Sequence, residues 1–269
     1  MLFSRWLYYL SSIPTLFTGI KNWQTMLKVF LGMSVPEPIL IELKNGLRFL
    51  VRTPMDIWVL KEACIEHQYE AASAAIEDNW NILDVGAGLG DFAVTVAKEH
   101  PHSTVYAYEP FPESFKLLME NVQLNQIGNV RAFPQAIGAE TGTMQLHAIS
   151  SEAVQQSTIA PVAGGHAIQV QCVALDDVLA ELNLAHFDYM KMDCEGAEYS
   201  VFFKASPETL KRIDRICLEY HDGVTSYSHD DLVRFFELNE YQVDCQSNPA
   251  HADLGLLFAT KKELGISLQ

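Results

Sequence analysis

The sequence predicts a doubly wound α/β fold on a mostly parallel sheet of seven strands, and three observations carry that expectation. The first is the stretch 81–91, NILDVGAGLGD, where the apolar run Ile82, Leu83 and Val85 ends in Gly86, Gly88 and Gly90. A strand, a turn too tight for side chains and an immediate helix start aim free backbone N–H groups at whatever sits over the glycines. The second is the β-α-β-α-β order that continues from there, which implies parallel strands and right-handed crossovers. The third is the collection of polar residues at strand ends, because an open parallel sheet binds ligands beyond the carboxyl ends of its strands.

Residues 1-53 are expected to be an amphipathic helical segment and a β-hairpin appended to a main domain of residues 54-269. Apolar residues recur at Ile13, Leu16, Phe17, Ile20, Trp23, Met26, Leu27, Phe30 and Leu31, the spacing of one helix face. That face is expected to dock on protein, completing the acceptor pocket or lying beside it. Pro14 and Gly19 interrupt it, and its basic residues are too spread for a polybasic anchor. Contact of residues 1-33 with a membrane surface, using Trp6, Tyr8, Tyr9, Trp23, Arg5, Lys21 and Lys28, is the alternative. Pro36 and Pro38 close the segment. Asn45-Gly46, flanked by 39–43 and 47–52, predicts a hairpin with a type I′ turn.

Thr53-Pro54 opens a helix through Ile57, Val59, Leu60 and Ala63, with the proline in the first turn where no donor is missed. A second short helix is expected at 70–76. Strand one, 82–85, leads through the glycines to a helix ending near His100, and strand two, 103–109, ends in Glu109. Pro110-Phe-Pro112 then starts a helix to Leu124, and 130–137 is the third strand. From 141 to 173 the pattern is β-rich and polar around a loop holding Gly164-Gly165, long enough for a lid. A helix at 175–184, a fourth strand at 187–192 ending in Asp193 and a helix at 195–203 follow. The fifth strand, 213–219, ends in Glu219, Tyr220, His221 and Asp222. Ser228 and Asp231 form a capping box for the helix through Leu238, and 241–245 with 254–260 are an antiparallel pair.

A chain of 269 residues can bury one substantial core. Its net charge of -16 argues against a nucleic-acid substrate, whose phosphates must be met by clustered Lys and Arg. The sign is uneven, with seven Lys or Arg against three acids up to Lys61. Five cysteines, an odd number without a CxxC pair, are those of a reduced, cytoplasmic protein. The N-terminus begins like a signal peptide but lacks a cleavage site, and its apolar run is too broken to span a membrane.

The strand ends assemble Asp84 with Gly86, Ala87, Gly88 and Gly90, then Glu109 and Pro110, Gln135 and Ala136, Asp193, and finally Glu219 with His221. An acid at the tip of strand two is placed to accept from two ribose hydroxyls. With these, Tyr108-Glu-Pro110, Asn121-Val-Gln-Leu-Asn125, Ala136-Ile-Gly138, Leu175-Asp-Asp177, Lys191-Met-Asp-Cys-Glu-Gly-Ala-Glu198 and Leu218-Glu-Tyr-His221 occur in order. Together they resemble the FkbM family of S-adenosylmethionine-dependent methyltransferases, over residues 81–262. The family often has Asn where this chain has Gly88, and commonly Val at Cys194.

The resemblance implies a Rossmann-like class I methyltransferase fold with S-adenosyl-L-methionine on the glycines. Glu109 would hold the ribose, Gln135 and Ala136 would border the adenine, and Asp193 would face the methionine end or the transfer site. It also points to O-methylation of a hydroxyl on a small-molecule or glycan acceptor. A sulfonium methyl is already activated, so the protein must align it and remove the acceptor's proton. His221, Asp193 and Glu219 are the candidate bases. Glu195 and Glu198, spaced on a helix, position the acceptor or hydrogen-bond the neighbouring loop. A divalent metal on the acids of strands four and five is an open alternative to a metal-free base. No histidine pair has ligand spacing.

Two other functions compete. A nicotinamide-dependent oxidoreductase wants a third glycine where this chain has Asp91. A catalytically silent binding module would have lost the strand-end acids, which are all present.

Overall fold

The computed structural model describes residues 2–70, 76–148, 156–157 and 166–264. The helix expected at 70–76 and the Gly164-Gly165 loop therefore lie largely outside the described residues. The N-terminal segment forms two helices, α1 (Leu2–Gly19) and α2 (Trp23–Phe30), where the spacing predicts one. Pro14 sits inside α1 without ending it. The break comes at Ile20, which bridges to Leu43, and at Asn22, whose side chain donates to Leu40 O and accepts from Glu42 N, each at 2.8 Å. Only part of the apolar stripe docks: Leu16, Ile20 and Met26 are buried, together with Val29 from outside it, while Ile13, Trp23, Leu27, Phe30 and Leu31 stay exposed.

The hairpin is β1 (Ile39–Glu42) against β2 (Arg48–Val51). Its turn is not type I′, because Gly46 is left-handed at φ 94° but Asn45 is not. Asn45 instead turns its side chain to accept from Leu47 N at 3.1 Å, a local bond that fixes a negative-φ asparagine. The helix α3 (Pro54–Leu60) starts in a Thr53/Asp56 capping box and runs into a π-helical turn at Lys61–Ile65.

The expected alternation follows: β3 (Asn81–Val85), α4 (Asp91–Glu99), β4 (Thr104–Tyr108), α5 (Pro112–Leu124) and β5 (Val130–Phe133). The third strand does not run through to 137. Pro134 has no N–H for the ladder, and beyond it β6 (Gln135–Gly138) leaves the main sheet. With β7 (Gly142–Ala148), β8 (Gln156–Ser157) and β9 (His166–Ala174) it makes a second sheet in the order β6-β9-β7-β8. Then come α6 (Leu175–Glu181), β10 (Tyr189–Met192), α7 (Glu198–Lys204), α8 (Pro207–Leu210), β11 (Arg215–His221), α9 (His229–Leu238), β12 (Tyr241–Ser247) and β13 (Leu254–Lys261).

The main sheet has seven strands in the order β12-β13-β11-β10-β3-β4-β5, parallel except that β13 runs antiparallel to both its neighbours. The winding reverses between β3 and β10, so the turn after Val85 and the turn after Met192 emerge side by side. Central strands covered on both faces read as near-continuous apolar runs, and β3 and β10 are buried except at Asn81. Their exceptions in polarity are Asp84 and Lys191.

One apolar cluster joins Ile20, Ile41 and Phe49 of the N-terminal segment to Val94 and Val96 of α4 and Leu118 of α5. The other lies across the sheet among α6, α7 and α9. The hairpin is held by side chains as well: Asn121 on α5 accepts from Leu50 N at 2.7 Å and donates to Leu50 O and Leu89 O. One turn on, Asn125 accepts from Arg48 N at 2.9 Å and donates to Arg48 O at 2.6 Å. Two asparagines thus satisfy the outer edge of β2 as a neighbouring strand would. Among the described residues no helix is long and apolar enough to cross a membrane.

Candidate active site

A pocket opens at the switch between β3 and β10. Six of the expected residues line it: Gly86, Gly88, Glu109, Pro110, Ala136 and Asp193, joined by Glu195. Asp84, Ala87, Gly90 and Gln135 do not. Asp84 lies beneath the floor, Ala87 N donates to Tyr108 O at 3.0 Å, and Gly90 is the left-handed N-cap of α4. Of Gln135 and Ala136 on β6 only the alanine lines the pocket, with Ile137 next to it.

The turn after β3 is held from below. Gly86 N donates to Tyr108 O at 3.0 Å, and Gly86 has φ 75°. A Cβ there would stand 1.9 Å from the Asp193 carbonyl oxygen, so the turns after β3 and β10 close on each other only through glycine. Lys191 locks the same place, donating to Gly86 O at 2.8 Å with its ammonium 3.3 Å from Asp84 Oδ1. Burial raises the Asp84 carboxyl against the pull of Lys191, and the acids Asp84, Asp193 and Asp91 hold the Lys191 ammonium charged.

Glu109 is buried, with Oε2 accepting from Gly88 N and Oε1 from Phe111 N, both at 2.8 Å. Burial pushes its pKa up to about 7, the two N–H groups opposing. Asp91, the first residue of α4, is likewise raised to about 7 by burial and lines the pocket.

The proposed catalytic residues converge. Ligand-capable atoms of Asp193, Glu219 and His221 lie within 4.8 Å of one another. His221 sits between Glu195 Oε2, 3.4 Å from its Nε2, and Glu198 Oε1, 3.3 Å from its Nδ1. Burial alone would favour a neutral ring, but Glu198, Asp193 and Glu195 overcome it and push the His221 pKa to about 10. Burial and Asp193 raise Glu195 to about 7 and Glu219 well above the usual carboxylate range.

Glu195 and Glu198 do not share a helix. Glu195 and Gly196 are left-handed, at φ 52° and 103°, and α7 begins only at Glu198. The bend lets the two carboxylates reach opposite nitrogens of one ring. Glu198 is fully buried and accepts from Cys194 N at 3.0 Å, the loop bond that is one of its two expected roles.

Several pocket residues escape sequence reasoning. Tyr69, ahead of β3, donates to Asp193 Oδ2 at 3.3 Å. Arg52 is clamped by Asp56 and donates to Ser114 Oγ at 3.3 Å. Met144 and Leu146 come from the second sheet. None carries a local signal, since their placement depends on packing between distant segments. Lys191 carried one, as a cation inside an apolar strand.

The walls suit a cationic ligand. Arg52 is neutralised by Asp56, which leaves Lys191 against Asp91, Glu109, Asp193 and Glu195. A dinucleotide's pyrophosphate on the α4 N-terminus would meet Asp91, whereas a sulfonium and an ammonium would not be opposed. S-adenosylmethionine carries both cations, and the buried acceptor pair of Glu109 fits its ribose.

A family model described as the methyltransferase FkbM domain matches residues 84–243. Methyltransferase 1 of Beauveria bassiana (strain ARSEF 2860) is 29% identical over 189 residues, 62% of this chain and 74% of the relative. The 31-O-demethyl-FK506 methyltransferase FkbM of Streptomyces tacrolimicus is 26% identical over 171 residues, 52% of this chain and 65% of that protein. The hexuronic acid methyltransferase AglP of Haloferax volcanii is 21% identical over 193 residues, 71% of this chain and 77% of that one. With the family's domain spanning the strands that build the pocket, this chain belongs to the FkbM methyltransferases, which draw their methyl group from S-adenosylmethionine.

Proposed function

We propose that the protein methylates a hydroxyl oxygen of a small-molecule or glycan acceptor, and that the strand-end carboxylates take the hydroxyl proton. The carrying observation is the cluster of Asp193, Glu219 and His221, of which Asp193 lines the pocket. Relatives named for 31-O-demethyl-FK506 and for hexuronic acid support this acceptor class. The net charge of -16 and the acidic pocket wall disfavour a nucleic-acid acceptor.

In this reading Gly86 and Gly88 admit the methionine portion, Glu109 accepts from the ribose, and Ala136 with Met144 and Leu146 borders the adenine. The bound cofactor supplies an electrophilic methyl group. The chain's residues then align the acceptor oxygen and take its proton. The acids around His221 push its pKa up to about 10, which favours the imidazolium and makes it the weakest of the three candidate bases. The proton goes to a carboxylate instead. Asp193 reaches the pocket and Glu219 stands behind it, its raised basicity closer to what a general base needs. His221 keeps several acids together without mutual repulsion, and Tyr69 orients Asp193.

A second reading is that Asp193, Glu219 and His221 hold a divalent cation, which their spacing within 4.8 Å allows. Activity unaffected by exhaustive chelation would remove it.

The test is to incubate enzyme, isotopically labelled S-adenosylmethionine and host-cell extract, then locate the label by mass spectrometry. Label on an alcohol oxygen supports the proposal, while label only on nitrogen or protein sinks it.

A further inference from the structure

The helices α1 and α2 bury one side and leave the other bare. On the bare side Leu10 and Ile13 of α1 lead to Phe17, whose ring meets Trp23 at 5.5 Å, and α2 continues the line with Leu27 and Phe30, ending at Leu31. Leu10 is 57% and Leu31 64% exposed. Phe17 itself is partly buried against the core, but the exposed large side chains are grouped on two consecutive helices, and such a grouping marks a contact surface.

Its rim is basic. Lys28 is exposed beside Leu27, and the exposed Lys44 donates to Phe17 O at 3.3 Å, which places its ammonium at the end of α1. Neither has a carboxylate partner among the described residues. Lys21 pairs with Glu42 at 3.5 Å. Residues 1–61 hold seven of the 18 Lys and Arg but only three of the 34 Asp and Glu. Of those seven, Arg48, Arg52 and Lys61 are engaged elsewhere, with Leu124 O, Asp56 and Glu66, so the rim of the stripe is formed by Lys28 and Lys44.

We propose that this stripe docks the protein on the surface of an anionic lipid bilayer, with Trp23, Leu27 and Phe30 entering the interface and Lys28 and Lys44 meeting the headgroups. Aromatic and aliphatic side chains on one helix face, flanked by lysines, make the composition that lies in the headgroup plane. A second copy of the chain suits the stripe less well, because it would bring its own lysines against these. Two unpaired lysines are too few to hold the protein by charge alone, so the contact is reversible and needs both the insertion and the charge.

The test is co-sedimentation of the full chain with vesicles of phosphatidylserine and phosphatidylcholine, or of phosphatidylcholine alone. The intact protein should pellet with the anionic vesicles and release in high salt. Lys28→Glu with Lys44→Glu, and separately Trp23→Ser with Leu27→Ser and Phe30→Ser, should each weaken partitioning about tenfold or more. Lys28 and Lys44 are exposed, so the double glutamate variant should keep its unfolding temperature; Trp23, Leu27 and Phe30 are 38–40% exposed, so the triple serine variant should lose some stability, and unchanged S-adenosylhomocysteine affinity certifies that both fold. No binding to anionic vesicles would overturn the proposal, as would binding that ignores either set of substitutions. A vesicle-free dimer in analytical ultracentrifugation, dissolved by the triple serine variant, would assign the stripe to self-association instead.

Discussion

Lys191 and Asp84 form a buried ion pair across adjacent strands, 3.3 Å apart, with the same ammonium bonded to Gly86 O. A charge deep in a sheet is costly unless paired, so the pair ties the position of the cofactor turn to the integrity of the sheet. Lys191→Met should leave Asp84 charged and alone, costing about 3–5 kcal/mol in urea unfolding. Adding Asp84→Leu should recover much of that stability. Cofactor affinity should not return with it, because Gly86 O would still lack its anchor. Full recovery of both would mean that the pair only fills space.

Stability should fall as pH rises from about 4 to about 10. Glu109 and Asp91 bind their protons more tightly folded, at about 7 against 4.5 and 3.8 unfolded, so their favourable contribution is full below about 4 and gone once pH has passed about 7. His221, at about 10 against 6.5, contributes fully below 6.5 and loses its contribution as pH climbs through 10. The three act in the same direction. Urea unfolding of the free protein at a series of pH values checks this, and His221→Gln should flatten the limb above neutrality.

Gly86 and Gly88 look alike in the sequence and should respond differently. Gly86→Ala drives a Cβ into the Asp193 carbonyl and should prevent the turn from closing. Gly88 has φ 54° and only Asp91 Oδ1 near its missing Cβ, at 3.8 Å. Asparagine adopts that conformation readily, so Gly88→Asn should fold with stability within about 1 kcal/mol of the parent. Thermal unfolding of both variants decides the matter.

Asn121→Leu should cost more than a surface change, since Leu50 N, Leu50 O and Leu89 O all lose their partner. Each orphaned buried group is worth about 1–3 kcal/mol. Hydrogen exchange should show the Leu50 amide deprotected first.

The order of strands, the glycine turn and the acids at the strand tips were legible because each has a local cause: an apolar run, a left-handed turn, an abrupt polar end. The Asn121 and Asn125 repeat was visible as a pattern, but its task of stitching a hairpin 71 to 77 residues away was not. Pro134 was a readable breaker that the long strand at 130–137 overlooked. The meeting of Glu195 and Glu198 on His221 depends on a left-handed glutamate that helical spacing conceals. Tyr69, Arg52 and Met144 reach the pocket through tertiary packing alone, and no window of sequence contains that information. The outer stripe of α1 and α2 was legible as apolar, whereas which half would be buried was decided by the hairpin, α3 and the π-helical turn after it.

Calorimetric titration of S-adenosylhomocysteine into the parent protein and Glu109→Ala tests the site most directly. The parent should bind it and show no heat with NAD. Loss of two charge-assisted acceptors should weaken the variant by about 1.5–3 kcal/mol, roughly ten- to a hundredfold. NAD binding without S-adenosylhomocysteine binding, or equal affinity in parent and variant, would contradict the assignment of this pocket.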